Sequence, residues 1–371
     1  MTHAIPSQTR IGRLLAWSEL QEASDVHVRA GSNPVIRVHG RLMPVAADVV
    51  SGPPDDITLA AWFLEAFPPE LAGKIATRRE LDSSFTHGTL RYRANFSKQR
   101  GGQSFSFRTV PSQTQTLEEL QLPDSLFELL DHPRGIVLVT GPTGQGKSTT
   151  VRALLQHLNL NRTLRIITIE DPIEFVFTDA ESHFEQREVG IDTASFADGI
   201  RNAMRQDPNV LFIGEIRDRE SIWAAMQAAE TGHLVITTLH ADSVPQAIGR
   251  ILEFYPASEQ PSISALLARN LHSIISQRLV PNVQGLRTPC LELLRRDAGV
   301  SDAIRTNDLH LLAGIVESSN HVGMHTFDQY LQELLAAGIV DIETARHHAV
   351  NRHKLELALR GIETIRPILK R

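Results

Sequence analysis

The 371-residue chain has a single cysteine, Cys290. A lone thiol excludes an intramolecular disulfide and any zinc cage built on cysteines. Runs of about 18 or more apolar residues are missing as well, so no transmembrane helix is expected. Met1 to Trp17 mixes charged and polar residues and lacks the apolar core of a secretory signal, which makes the cytoplasm the expected compartment. Positive charge is not in excess: 37 Lys and Arg stand against 43 Asp and Glu, a formal net charge of −6. There is thus no global basic field, and nucleic acid is not expected as a direct partner. The sequence shows no internal repeat and no low-complexity segment. What is there is an ordinary globular composition, 42% hydrophobic, long enough for two or three domains at about 150 residues each.

Residues 1–110 read as a small α/β domain. Val26-His27-Val28 and Val35-Ile36-Arg37-Val38 alternate in polarity as half-buried strands do, with turn residues at 31–34 between them. Residues 57–76 have helical spacing interrupted by Pro68-Pro69, and strands are expected over 89–96 and 103–110, joined through Arg100-Gly101-Gly102. Residues 111–122 are polar and read as an extended linker. From Pro133 the pattern changes. Short continuous apolar runs at 136–139, 164–169, 210–213 and 234–239 alternate with helical stretches, which predicts a mostly parallel sheet covered on both faces. Beyond about Ser262 the spacing predicts a mainly helical region.

The sharpest motif is Gly141-Pro142-Thr143-Gly144-Gln145-Gly146-Lys147-Ser148, which fits the P-loop pattern G-x-x-x-x-G-K-[ST]. Its glycines allow backbone N–H groups to converge on phosphate oxygens, and the helix starting near Thr149 turns its positive end toward them. Lys147 would reach the β- and γ-phosphates of ATP, and the Ser148 hydroxyl would ligate Mg²⁺.

Three more expected strands end in polar residues: 166–169 in Glu170-Asp171-Pro172-Ile173-Glu174, 210–213 in Gly214-Glu215, and 234–239 in His240. Ligands of open α/β sheets bind beyond the carboxyl ends of the strands, so these groups are candidates to hold Mg²⁺ through water and to polarise the attacking water. Gly214 stands where many P-loop ATPases have an aspartate, which moves metal-holding duty toward Glu215 and the Glu170 cluster. His233 and His240 flank one strand and would lie roughly 23 Å apart; His240, at the carboxyl end, is the γ-phosphate sensor candidate. Arg91 and Arg93 are candidates to supply positive charge to a neighbouring subunit's nucleotide.

With these segments in place the chain resembles the PilT-like, pilus-retraction branch of the type II/type IV secretion ATPase superfamily. The likeness covers nearly the whole length. It is carried by Arg91-Tyr92-Arg93-Ala94-Asn95-Phe96, the P-loop running on into Thr149-Thr150, an acidic box over 166–175, Gln186-Arg187-Glu188-Val189-Gly190, Gly214-Glu215-Ile216-Arg217-Asp218, a histidine box over 231–240, Ile275-Ser276-Gln277-Arg278-Leu279 and Gly323-Met324-His325-Thr326. The resemblance implies a PAS-like N-terminal domain, a RecA-like ATPase domain and a helical C-terminal region. It also implies a homohexamer that burns ATP with Mg²⁺ against an inner-membrane pilus platform, from the cytoplasmic face. By matching position, Glu174 would be the catalytic glutamate, Glu215 the Walker B glutamate, and Arg91 and Arg93 trans contacts. Gln145 departs from the family's small residue, and residues 303–307 match the retraction signature only in part. Assembly ATPases of this superfamily carry a four-cysteine zinc element, which one cysteine cannot supply. An ATPase of a type IV secretion apparatus stays open as the alternative.

Overall fold

The computed structural model describes residues 4–88, 90–100, 102–110, 115–319 and 322–360. Thr89, Gly101 and residues 111–114, which the sequence assigned to a strand start, a turn and the linker, lie outside the described residues. The chain divides into two compact units: Met1–Gln113 with Pro172–Val176, and Thr114–Asp171 with Phe177–Arg371.

The first unit runs α1 (Arg10–Leu20), β1 (Asp25–Arg29), β2 (Val35–Val38), β3 (Arg41–Pro44), α2 (Asp56–Ala66), α3 (Pro69–Thr77), β4 (Glu80–His87), β5 (Leu90–Gln99) and β6 (Gly102–Val110). Its strands form one antiparallel sheet in the order β3-β2-β1-β6-β5-β4. Alternation along β5 and β6 turns Tyr92, Ala94, Phe96, Phe105 and Phe107 into the core, where Phe63 and Phe67 of α2's end meet them edge to face.

The second unit contains α4 (Ser125–Glu128), β7 (Gly135–Thr140), α5 (Lys147–Asn161), β8 (Arg165–Glu170), β9 (His183–Glu188), α6 (Phe196–Ala203), β10 (Val210–Ile213), α7 (Arg219–Glu230), β11 (Leu234–Leu239), α8 (Val244–Glu253) and α9 (Gln260–Asn270). It continues with β12 (Leu271–Pro281), β13 (Arg287–Arg295), α10 (Ala298–Thr306), α11 (Leu309–Ser318), α12 (Phe327–Ala336), α13 (Ile342–His348) and α14 (Arg352–Leu359). The sheet order is β13-β12-β7-β11-β10-β8-β9, parallel throughout except for the β12–β13 pair. Every residue of β7, β10 and β11 is buried, the condition of strands covered on both faces. Ile136, Leu138, Ile167, Ile169, Leu211, Ile213 and Val235 join α6 to α11 in one apolar core.

Two expectations change. The region beyond Ser262 is not mainly helical at first: after α9 come β12 and β13, and helices resume only at Ala298. Residues 115–122 are not extended either. Thr116 and Glu119 bond each other's backbone N–H groups, Leu117 and Leu122 are buried, and Gln121 accepts from Thr288 on β13. These contacts tie the segment to the second unit as a set of turns.

Candidate active site

Helices α6, α7 and α8 open on capping side chains, Ser195, Asp218 and Ser243. Helix α5 opens instead on Gly146, at φ 82°, with no side-chain acceptor for its first N–H groups. A helix start left uncapped behind a Gly-rich turn suits an anionic ligand. Thr143, Gly144 and Ser148 are exposed there, and Thr149 is half-buried. Gly141 and Gly146 also face inward: a Cβ on Gly141 would sit 2.3 Å from the Gln277 carbonyl oxygen, and one on Gly146 2.8 Å from the Gln277 side-chain nitrogen.

Lys147 is 8% exposed. Its Nζ donates to the carbonyls of Gly141 (2.6 Å) and Pro142 (2.9 Å) and lies 3.4 Å from His240 Nδ1. Burial lowers its pKa, and the negative charge of Glu215 counteracts that. His240 Nε2 is 3.1 Å from Glu215 Oε1. With the ammonium facing Nδ1, the neutral ring that donates from Nε2 to Glu215 fits both partners. Glu215 Oε2 then accepts from Arg217 Nε at 3.0 Å, and Arg217 Nη1 reaches Asp171 at 3.1 Å. A continuous polar chain, Lys147–His240–Glu215–Arg217–Asp171, therefore crosses the carboxyl ends of β7, β11, β10 and β8.

Glu170 closes β8 but is turned elsewhere. It is 8% exposed, and its Oε1 accepts from Thr168 at 2.6 Å and from Gln186 of β9 at 3.2 Å. His233, at the opposite end of β11, bonds the Ala228 carbonyl and Thr231, as expected of a structural residue. Glu174 belongs to the first unit and lies 3.3 Å from Arg93. Arg91 is buried, not exposed on a strand face as isolated arginines usually are, and its Nε donates to the Ile173 carbonyl at 2.8 Å. The two arginines thus hold the end of the acidic box within their own chain, a contact across some eighty positions that spacing does not announce.

Sequence reasoning missed the support given by β12 and β13. The buried Gln277 accepts from Thr150 Oγ1 (2.7 Å) and donates to the Gln145 carbonyl (2.8 Å). The half-buried Gln145 turns its side chain to β12, where its Oε1 accepts from Leu279 N at 2.7 Å. Arg278 donates to the Asp242 carbonyl, just beyond His240. Glu292 of β13 accepts from Val244 N, the first residue of α8, at 2.6 Å.

Burial pushes the Glu292 carboxyl up to about 7; the Val244 N–H and Arg278 oppose the rise and Asp328 adds to it. An unfolded glutamate titrates near 4.3, so between about 4.3 and 7 the native state holds more protons than the unfolded one. Stability from this group is therefore full below the lower value and falls as pH rises through the window, by about 4 kcal/mol. Glu292→Gln keeps an acceptor for Val244 and removes the titration. Urea unfolding at pH 5 and pH 8 should show a smaller decline in the variant than in the parent; an identical decline contradicts the assignment.

The family model described as "Type II/IV secretion system protein" matches residues 86–312. The type IV pilus retraction ATPase PilT of Pseudomonas aeruginosa is 38% identical over 91% of this chain and 98% of its own. A twitching motility protein of Neisseria gonorrhoeae is 36% identical over 92% of this chain and 91% of its own. Among solved structures, the pilus retraction motor PilT with bound ADP superposes with a TM-score of 0.84 at 36% identity, covering 93% of this chain and 98% of that one. The likeness read from the motifs is borne out.

Proposed function

The chain belongs to the type II/IV secretion system protein family, and on that premise we propose that it is an ATP-hydrolysing motor that powers retraction of a type IV pilus. The observation that carries this is the polar chain from Lys147 through His240 to Glu215, built at the rim where the P-loop and three further strands end. The P-loop backbone and Lys147 take the phosphates. Ser148 and, through water, Glu215 would hold Mg²⁺, which would supply positive charge to offset that of the phosphates. Glu174 is the proposed general base, and His240 reports γ-phosphate to Glu215.

The motor is proposed to be a homohexamer working on an inner-membrane platform from the cytoplasmic side. No helix among the described residues is long and apolar enough to cross a membrane, so membrane association would run through partners. Arg91 and Arg93 would act on a neighbouring subunit's nucleotide, so that ATP at one subunit's P-loop would draw in the N-terminal unit of the next subunit, which carries these arginines, and hydrolysis would release it. Mixed rings of Arg93→Ala and Lys147→Ala subunits should regain part of the activity that each pure ring has lost. Failure to regain any, with both variants assembling normally, removes the shared-site reading. At the level of the cell, deletion of the gene should leave excess pili and abolish twitching; loss of pili instead would mean an assembly motor.

A further inference from the structure

We propose that Gln277 is a positioning residue for ATP binding: from β12 it holds the phosphate-cradling loop in its binding shape, and Gln145 ties the same loop to the same strand a second time. The inference deepens the ATPase reading and rests on it. A loop of this kind binds phosphate with its backbone, so its affinity depends on how well its N–H groups are preset; a loop free to move must be ordered by the ligand, at a cost in binding.

The loop and α5 contact β12 at several independent points. The Gln277 side chain is 1% exposed and uses both ends of its amide, donating to the Gln145 carbonyl and accepting from Thr150 in the first turn of α5. It therefore bridges the middle of the loop to the helix that follows. The Gln277 carbonyl approaches Gly141 so closely that no side chain fits there, and its amide nitrogen fills the space beside Gly146. One residue of β12 thus meets the loop's first and last glycines. Gln145 then spans back to Leu279 N, and Leu279 side-chain carbons lie 3.6 Å from where a Gly146 Cβ would be. The strand is itself fixed, paired to β7 up to Ser276 opposite Thr140 and to β13 along its length. None of these atoms is needed for chemistry on the γ-phosphate, which separates them from Lys147, Glu215 and His240.

The separation gives the test. Gln277→Met keeps the volume and removes both bonds. It should raise the Kd for ADP and the KM for ATP about tenfold, leave kcat at saturating ATP within about threefold, and shift the melting temperature without nucleotide by only a few degrees. Thr150→Val should weaken ADP binding alone but add little in the Gln277→Met background, because both remove the same bond. Gln145→Ser, at a half-buried loop position, removes only the Leu279 tether and should raise the ADP Kd about threefold; it carries the test if Gln277→Met does not fold. Unchanged ADP affinity in the folded variants, or a loss of kcat and stability with Kd intact, overturns the proposal while leaving the ATPase reading standing. A parent protein that binds neither ADP nor ATP would remove both.

Discussion

Lys147→Ala is expected to reduce ATP turnover by about 10²- to 10³-fold, the usual cost of losing one preset donor to developing phosphate charge. Lys147 is buried at the foot of the loop, its ammonium already turned to the Gly141 and Pro142 carbonyls and near His240. Burial works against its charge, so a triphosphate, a far stronger acceptor than two carbonyls, gains the most by taking it up. Removing a desolvated charge also removes an unfavourable burial, so the variant should melt at the parent's temperature or above it. Colorimetric phosphate release measured beside a melting curve checks both halves. Turnover within tenfold of the parent would show that Lys147 does not reach the transferring phosphate.

Glu215→Gln should lower kcat by about 10²-fold or more while ADP affinity stays within a few-fold. The amide oxygen can accept from only one of His240 and Arg217, so the variant loses one of these bonds together with the negative charge that orders the chain from Lys147 to Asp171. Glu170→Gln is the control. Its carboxylate is bonded by Thr168 and Gln186, and its removal should cost less than Glu215→Gln by at least tenfold. Single-turnover assays on preloaded protein measure the chemical step directly, and equal losses in the two variants would return metal-holding duty to Glu170.

Motif chemistry made the rim legible before any coordinates, because the P-loop, Glu215 and His240 each follow a short apolar run that only a doubly covered strand explains. Other parts of the site were hidden for identifiable reasons. Leu271, Ile274, Ile275 and Leu279 recur at three- and four-residue spacing, a helical pattern that tertiary pairing with β7 and β13 overrides. With β12 read as helix, the tie from Gln277 to the P-loop could not be seen. Strand β9 is an edge strand whose sequence, HFEQRE, buries little apolar surface, so it gives no strand signal even though its Gln186 bonds Glu170. The grouping of Ile173 and Glu174 with Arg91 and Arg93 joins residues far apart in the chain, where local spacing carries no information.

The place of β7 between β11 and β12 also bears on how the protein is made. A ribosome releases the P-loop strand long before it releases β12, an interval on the order of ten seconds at usual elongation rates. Until then the nascent loop has neither Gln277 nor Leu279 to lean on, and nucleotide has little folded cradle to select. ATP is therefore expected to stabilise the finished chain while offering almost nothing to a truncated translation product that stops after α9, so release of β12 is the step at which the emerging protein becomes responsive to its fuel.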